Sequence, residues 1–193
     1  MRRICVYAGS NPGTDRAYAN SARELARLLA ARDIGLVYGG GHVGLMGVLA
    51  DTVLEAGGEA IGVMPQALID REIGHTGLSE LHVVGSMHER KALMAELSDA
   101  FVAAPGGIGT LEELIEVYTW SQLGIHTKAC GVLNVAGYYD HLAAFLDHAV
   151  TAGFLKPEHR AVLTVATEPA ELLDRLAAYE PPSVAKWVEL DAT

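Results

Sequence analysis

Cysteine is almost missing from this chain: Cys5 and Cys130 are the two in 193 residues. Both fall in apolar runs that read as strands, so buried free thiols are expected, in a reducing cytoplasmic setting and without a disulfide framework. Positive charge is also scarce. Fourteen lysines and arginines face 24 acidic residues, a formal net charge of −10, which argues against a nucleic-acid or membrane-surface binder. No apolar run approaches the length of a membrane span. The one behind Arg2 and Arg3, Ile4 to Ala8, is too short for a signal-peptide core. Several catalytic signatures are missing as well. There is no G-x-x-x-x-G-K-[ST], which argues against a P-loop nucleoside triphosphatase, and no G-x-S-x-G elbow. With no H-E-x-x-H and no paired cysteine spacing, no metal is expected.

What is present is glycine, 21 residues of it, in a chain that is half hydrophobic. Short apolar runs alternate with helical patterns. Strands are predicted near Arg3–Ala8, Ile34–Tyr38, Glu59–Met64, Leu81–Val84, Asp99–Ala103, Ala129–Leu133 and Val162–Val165. Helices are predicted near Asp15–Arg32, Gly44–Ala56, His88–Leu97, Leu111–Leu123, Tyr138–Ala152 and Pro169–Ala178. Continuously apolar strands separated by helices imply an α/β fold, a Rossmann-like doubly wound parallel sheet of about seven strands with helices on both faces. Length and pattern suggest one domain over residues 1–180 and a tail over 181–193. Ligands in such sheets bind at the carboxyl ends of the strands. Three glycine loops lie there: Gly9–Gly13, Gly39–Gly44 and Pro105–Gly109.

The third loop carries the most chemistry. Pro105–Glu113 reads P-G-G-I-G-T-L-E-E, between an apolar strand and a helix. The first N–H groups of a helix lack partners and its dipole favours negative charge there, so such a turn is an anion site. Gly106, Gly107 and Gly109 let the backbone approach a ligand, Thr110 offers a hydroxyl, and Glu113 sits just beyond. T-x-x-E at a helix start is also a capping box, which gives Thr110 and Glu113 a plain structural alternative. Arg90 and Lys91 form a second candidate. Cations are unfavourable near a helix start, so a pair placed there suggests an anion nearby. Ser10, Gly40, Gly41, Met46 and Met87 are pocket candidates on loop position. Gly39-x-Gly41-x-x-Gly44 matches a dinucleotide fingerprint, but the acidic residue that should end the next strand is absent. Glu59 begins that strand and Pro65 closes it, so NAD is disfavoured.

The pattern P-G-G-x-G-T-x-x-E resembles the motif of the LOG family, the cytokinin riboside 5′-monophosphate phosphoribohydrolases, long labelled "lysine decarboxylase-like". The resemblance extends through Gly9–Ser10, Gly39–Gly47, Met87–Lys91 and Trp120–His126. It implies an enzyme that hydrolyses the N-glycosidic bond of a purine nucleoside 5′-monophosphate, cytokinin riboside 5′-monophosphate or AMP. The products are free base and ribose 5-phosphate, and no cofactor is used. It implies catalytic roles for Glu113 and Arg90. The substrate-binding set becomes Glu72, Arg90, Lys91, Gly107, Ile108, Gly109, Thr110, Leu111, Glu112, Glu113 and Thr119. A nucleotide carrier without turnover uses the same loops. A pyridoxal-phosphate decarboxylase with Lys91 as Schiff base is disfavoured by the short chain and by the adjacent arginine. The helix Leu111–Leu123 is apolar on two sides, which suggests a homodimer through Tyr118 and Trp120.

Overall fold

The computed structural model describes residues 1–70 and 74–182. Seven strands, β1 (Arg3–Tyr7), β2 (Gly35–Tyr38), β3 (Ala60–Pro65), β4 (Glu80–Val84), β5 (Ala100–Ala103), β6 (Ala129–Leu133) and β7 (Leu163–Ala166), form one sheet. Its order is β4-β3-β2-β1-β5-β6-β7. Every pairing is parallel. The chain therefore builds outward from β1 to β4, then returns to lay β5 on the other side of β1. The crevice between the loops that follow β1 and β5 is the switch point of the sheet, where ligands of open α/β folds are held.

Alternation along the strands divides the core in two. Ile4 and Val6 point to one face, Cys5 and Tyr7 to the other. The first face is covered by α1 (Arg16–Ala31), α2 (Gly44–Glu55) and α8 (Pro169–Ala177) through Leu25, Leu29, Leu49, Val53 and Leu172. The second is covered by α4 (Met87–Glu96), α5 (Ile108–Gln122), α6 (Asp140–Thr151) and α7 (Pro157–Ala161) through Met94, Leu114, Val117 and Leu146, with Val162 packed just past the end of α7. Helix α1 starts where Asp15 accepts the N–H of Ala17 at 2.8 Å and buries Ala22, Leu25, Ala26 and Leu29, one stripe at helical spacing. Both thiols are buried; Cys130 is pushed up to about 12 and Cys5 higher still, so neither is a ready nucleophile.

All seven predicted strands are present, with ends displaced by a residue or so. Two short helices, α3 (Gln66–Ile69) and α7, were not predicted, because four or five residues are too few to show a helical period. Tyr118 requires a correction. Its ring is buried inside the chain, and its hydroxyl donates to the carbonyl of His159 on α7 at 2.8 Å. The second apolar side of α5 at Tyr118 is thus covered by the chain's own α7, and Trp120 packs partly against the same cluster. Among the described residues, no helix is long and apolar enough to cross a membrane.

Candidate functional site

The three glycine loops meet at the carboxyl edge, as their positions in the sequence suggest. The N–H of Gly9 donates to the carbonyl of Pro105 at 3.1 Å, and the N–H of Leu45 to the carbonyl of Gly9 at 2.9 Å. Two of the glycines exist for this close approach. A Cβ on Gly106 would lie 2.1 Å from Thr110 Oγ1, and one on Gly44, which also has φ +59°, would strike the backbone of Ser10 and Asn11. Gly107 and Gly109 are different. Among the described residues, a Cβ on either would meet nothing within 4 Å. Packing gives no reason for glycine at these two positions, and the space above them faces outward from the helix start.

That start is earlier than predicted. Helix α5 begins at Ile108 with Gly107 as its N-cap, and no side chain caps it. The first backbone bond runs from the N–H of Leu111 to the carbonyl of Gly107 at 3.2 Å. Thr110 is therefore the third helical residue, not the cap, and the capping-box alternative for Thr110 and Glu113 is set aside. Ile, Gly and Thr are poor helix formers, which hid the first turn from a reading based on periodicity. The N–H groups of this turn are left for an anion.

Arg90 reaches the same edge from α4. This helix is capped by its own box: Ser86 Oγ accepts the N–H of Glu89 at 3.2 Å, and Glu89 Oε2 accepts the N–H of Gly85 at 2.8 Å. With the first turn served by Glu89, Arg90 is free to cross the ends of the strands. Its Nε donates to the carbonyl of Val63 at 3.1 Å and its Nη2 to that of Gly39 at 3.4 Å. Nη1 stands 3.5 Å from Glu113 Oε1, and both side chains are nearly buried, 11% and 13% exposed. Burial raises the Glu113 carboxyl above its ordinary value, Arg90 pulls it back down, and Glu112 adds to the rise; the balance is upward. A carboxylate so placed is a better proton acceptor than a solvated one.

Lys91 points elsewhere. Its Nζ lies 2.6 Å from Glu112 Oε1 and 3.0 Å from Glu116 Oε1, pinning α4 to α5. The hydrogen bond it donates to Glu112 is the main reason its ammonium is held above the usual lysine range, with burial opposing and Glu116 assisting. Leu111 is half-buried against the core, and Glu112 is engaged with Lys91. Thr119 stands about 16 Å along the α5 axis from Ile108, well away from the loop. Met46 and Met87 flank the Arg90 site: Met87 Sδ lies 3.8 Å from Arg90 Nη1, and Met46 Sδ would be 3.6 Å from a Gly39 Cβ. Gly40 has φ +76°, and its carbonyl accepts the N–H of His75 at 2.8 Å; Gly41 bridges Gly74. Ser10 is exposed on the rim. Glu72 lies outside the described residues.

Two features had no signal in the sequence reading. A cleft of about 250 Å³ opens beside the glycine loop, walled by Asn11, Tyr18, Leu45, Gly107 and Tyr138. The turn after β6 sends two tyrosines to the loop: Tyr139 donates to the carbonyl of Ala104 at 2.7 Å and Tyr138 to that of Gly106. A larger cleft, about 830 Å³, lies at the opposite edge of the sheet. There Arg3 pairs with Glu59 at 2.9 Å and Asp99 accepts the N–H groups of Arg2 and Arg3, and none of the three glycine loops lines it.

Comparison with known proteins gives a consistent result. The family model described as "Possible lysine decarboxylase" matches residues 46–176. A protein of Oryza sativa subsp. japonica named probable cytokinin riboside 5′-monophosphate phosphoribohydrolase is 52% identical over 181 residues, 94% of this chain and 80% of its own. An Arabidopsis thaliana protein named cytokinin riboside 5′-monophosphate phosphoribohydrolase is 49% identical, over 94% and 79%. Among solved structures, the molybdenum cofactor carrier protein of Chlamydomonas reinhardtii superposes with a TM-score of 0.70 at 24% identity, covering 93% of this chain and 99% of that one. At that identity the likeness is one of fold.

Two outcomes follow from this geometry. A Cβ on Gly39 would lie 1.9 Å from Arg90 Nη2. Gly39→Ala should therefore displace the guanidinium and lose as much activity as Arg90→Ala, with native circular dichroism; a fully active Gly39→Ala protein would refute the placement. The raised Glu113 carboxyl binds its proton more tightly in the folded chain than in the unfolded one. Stability from this group therefore falls as pH rises from the ordinary carboxylate value through the raised one. Glu113→Gln should resist denaturant better than the parent at neutral pH, with the gap closing in acid. A gap of the opposite sign at neutral pH would show that Arg90 outweighs burial.

Proposed function

Because the chain belongs to the LOG family, whose curated members are named cytokinin riboside 5′-monophosphate phosphoribohydrolases, we infer that it hydrolyses the N-glycosidic bond of a purine nucleoside 5′-monophosphate. The observation that carries the division of labour is the buried Arg90–Glu113 pair beside an uncapped, glycine-lined helix start. The phosphate sits on the N–H groups at the start of α5, with the open faces of Gly107 and Gly109 allowing contact. Its binding energy holds the sugar against Glu113. As the C1′–N9 bond breaks, positive charge gathers on the ribose, and the carboxylate stabilises it. Water's oxygen bonds to C1′ as the C1′–N9 bond breaks, one of its protons passes to Glu113, and the departing base takes up a proton from solvent while Glu113 returns its own to solvent. Arg90, fixed by two backbone carbonyls, orients the carboxylate and the ribose–phosphate.

Decarboxylation through a lysine Schiff base needs a neutral amine. Lys91 is held as an ammonium between two glutamates, so the residues present do not fit pyridoxal phosphate at that position. Residues 1–180 act as one unit in this reading, in a cytoplasmic setting that suits the two buried thiols.

Self-association is part of the same proposal, moved from Tyr118 to the exposed apolar side chains of α4 and α5: Met87, Ile108 and Ile115. Light scattering in dilute solution should give twice the chain mass; a single-chain mass would remove the dimer.

The activity is tested by product analysis on AMP, an N6-prenylated analogue and adenosine. Base and ribose 5-phosphate should appear from the monophosphates, with kcat/KM for AMP about a hundredfold above adenosine, the worth of about 3 kcal/mol in phosphate contacts. Glu113→Gln should abolish release yet bind AMP within about tenfold of the parent. Tight binding by the parent without base release would make the chain a carrier.

A further inference from the structure

The site as described leaves the exposed tyrosine after β6 without a role. Tyr138 is 41% exposed, yet its hydroxyl donates to the carbonyl of Gly106 in the glycine loop. A trans peptide carries its C=O and N–H in opposite directions, and there are no cis bonds among the described residues. The N–H on the far side of that peptide belongs to Gly107, the N-cap of α5. Fixing the carbonyl therefore fixes the direction of an N–H at the helix start where the substrate phosphate is read to sit.

The turn that delivers Tyr138 is built for the purpose. Ala136 has φ +50° and Gly137 φ +74°, two successive left-handed residues, the first without the freedom of glycine. Asn134 braces the turn, accepting the N–H of Tyr139 at 2.7 Å and donating to Asp140 at 2.7 Å. Tyr139 is buried and tied to the carbonyl of Ala104. Edge contacts with Tyr139 and Tyr18, at 5.0 and 5.6 Å between ring centres, hold the Tyr138 ring from two sides. Strain of this kind persists only where the surroundings over-determine it, and here it aims one hydroxyl at one carbonyl.

We propose that Tyr138 is a positioning residue for phosphate recognition: its hydroxyl holds the Gly106–Gly107 peptide so that the Gly107 N–H faces the 5′-phosphate. Tyr138 does not touch the glycosidic bond. Its effect falls on binding of the phosphorylated substrate, not on the chemical step. The proposal rests on the nucleoside monophosphate reading above.

Tyr138→Phe retains the ring contacts and removes the hydroxyl alone. In the variant, KM for AMP should rise about tenfold, with kcat within about twofold. Inorganic phosphate should inhibit more weakly by the same factor, and the slow cleavage of adenosine should be unchanged. The thermal midpoint without ligand should move little. Unchanged KM and phosphate inhibition overturn the proposal. So does an equal loss on AMP and adenosine, which marks a purely structural tyrosine. The stabilisation of the protein by inorganic phosphate, read as a shift in midpoint, is measured alongside. Should the parent release no base, the activity reading fails, while a smaller phosphate shift in Tyr138→Phe than in the parent still upholds the positioning role and equal shifts overturn it.

Discussion

The site is organised around one charge withdrawn from water. A guanidinium as buried as that of Arg90 forfeits most of its hydration, and a single carboxylate at 3.5 Å does not restore it. The carbonyls of Val63 and Gly39 make up part of the difference. Both lie one residue past the last pair of the β2–β3 ladder, Tyr38 and Gly62, where backbone acceptors along that seam are free of each other. Parallel pairing of β2 with β3 thus prepares a seat for a cation that neither strand encodes by itself. Gly39 is part of the same constraint, since any side chain there would occupy the place of the guanidinium. For stability alone, an apolar filling serves as well or better than such a pair. Its presence at the switch point of the sheet is best understood as function.

Arg90 and Lys91 show how far one helical step separates two cations. Successive residues on a helix point about 100° apart. Arg90 turns across the strand ends toward Glu113, while Lys91 turns into the groove between α4 and α5 and meets Glu112 and Glu116. The two glutamates of the E-E pair are divided in the same way. Glu113 faces the site and has its carboxyl raised by burial, whereas Glu112 spends its charge on Lys91. Adjacent like residues in a motif are thus one chemical group and one structural brace. The brace holds α4 against α5 and so fixes the distance between Arg90 and Glu113.

The fold was legible because its signals are local and repeated. Apolar runs the length of a strand alternate with helical stripes, and parallel order follows from that alternation. The convergence of three glycine loops was legible for the same reason, since the rule for the carboxyl edge needs only the order of elements. Glu113 and Arg90 were reached through motif position and the family resemblance. The start of α5 was misplaced because Ile108, Gly109 and Thr110 carry no apolar period. Tyr118 was assigned to a second subunit because α7, which covers it, is too short to be seen in a sequence. Tyr138 and Asn134 had no signal at all: their partners are backbone atoms 32 and 5 residues distant or a side chain across a turn, and a hydrogen bond to the backbone leaves no mark on residue type at the partner.

An acidic chain that binds an anion presents an apparent conflict, and the source of positive potential resolves it. The net charge of −10 counts side chains. The donors at the start of α5 are backbone N–H groups, and the partial charge at a helix start comes from aligned peptides, so neither enters that count. Their field falls off within a turn, which confines attraction to a ligand already in the crevice. The surrounding acidic surface, by contrast, opposes long polyanions at distances up to a Debye length. The same two facts select for a small phosphate ester over a nucleic acid. On the reading proposed above they also account for glycine at positions 107 and 109, because a donor without a side chain above it leaves room for the ligand it attracts.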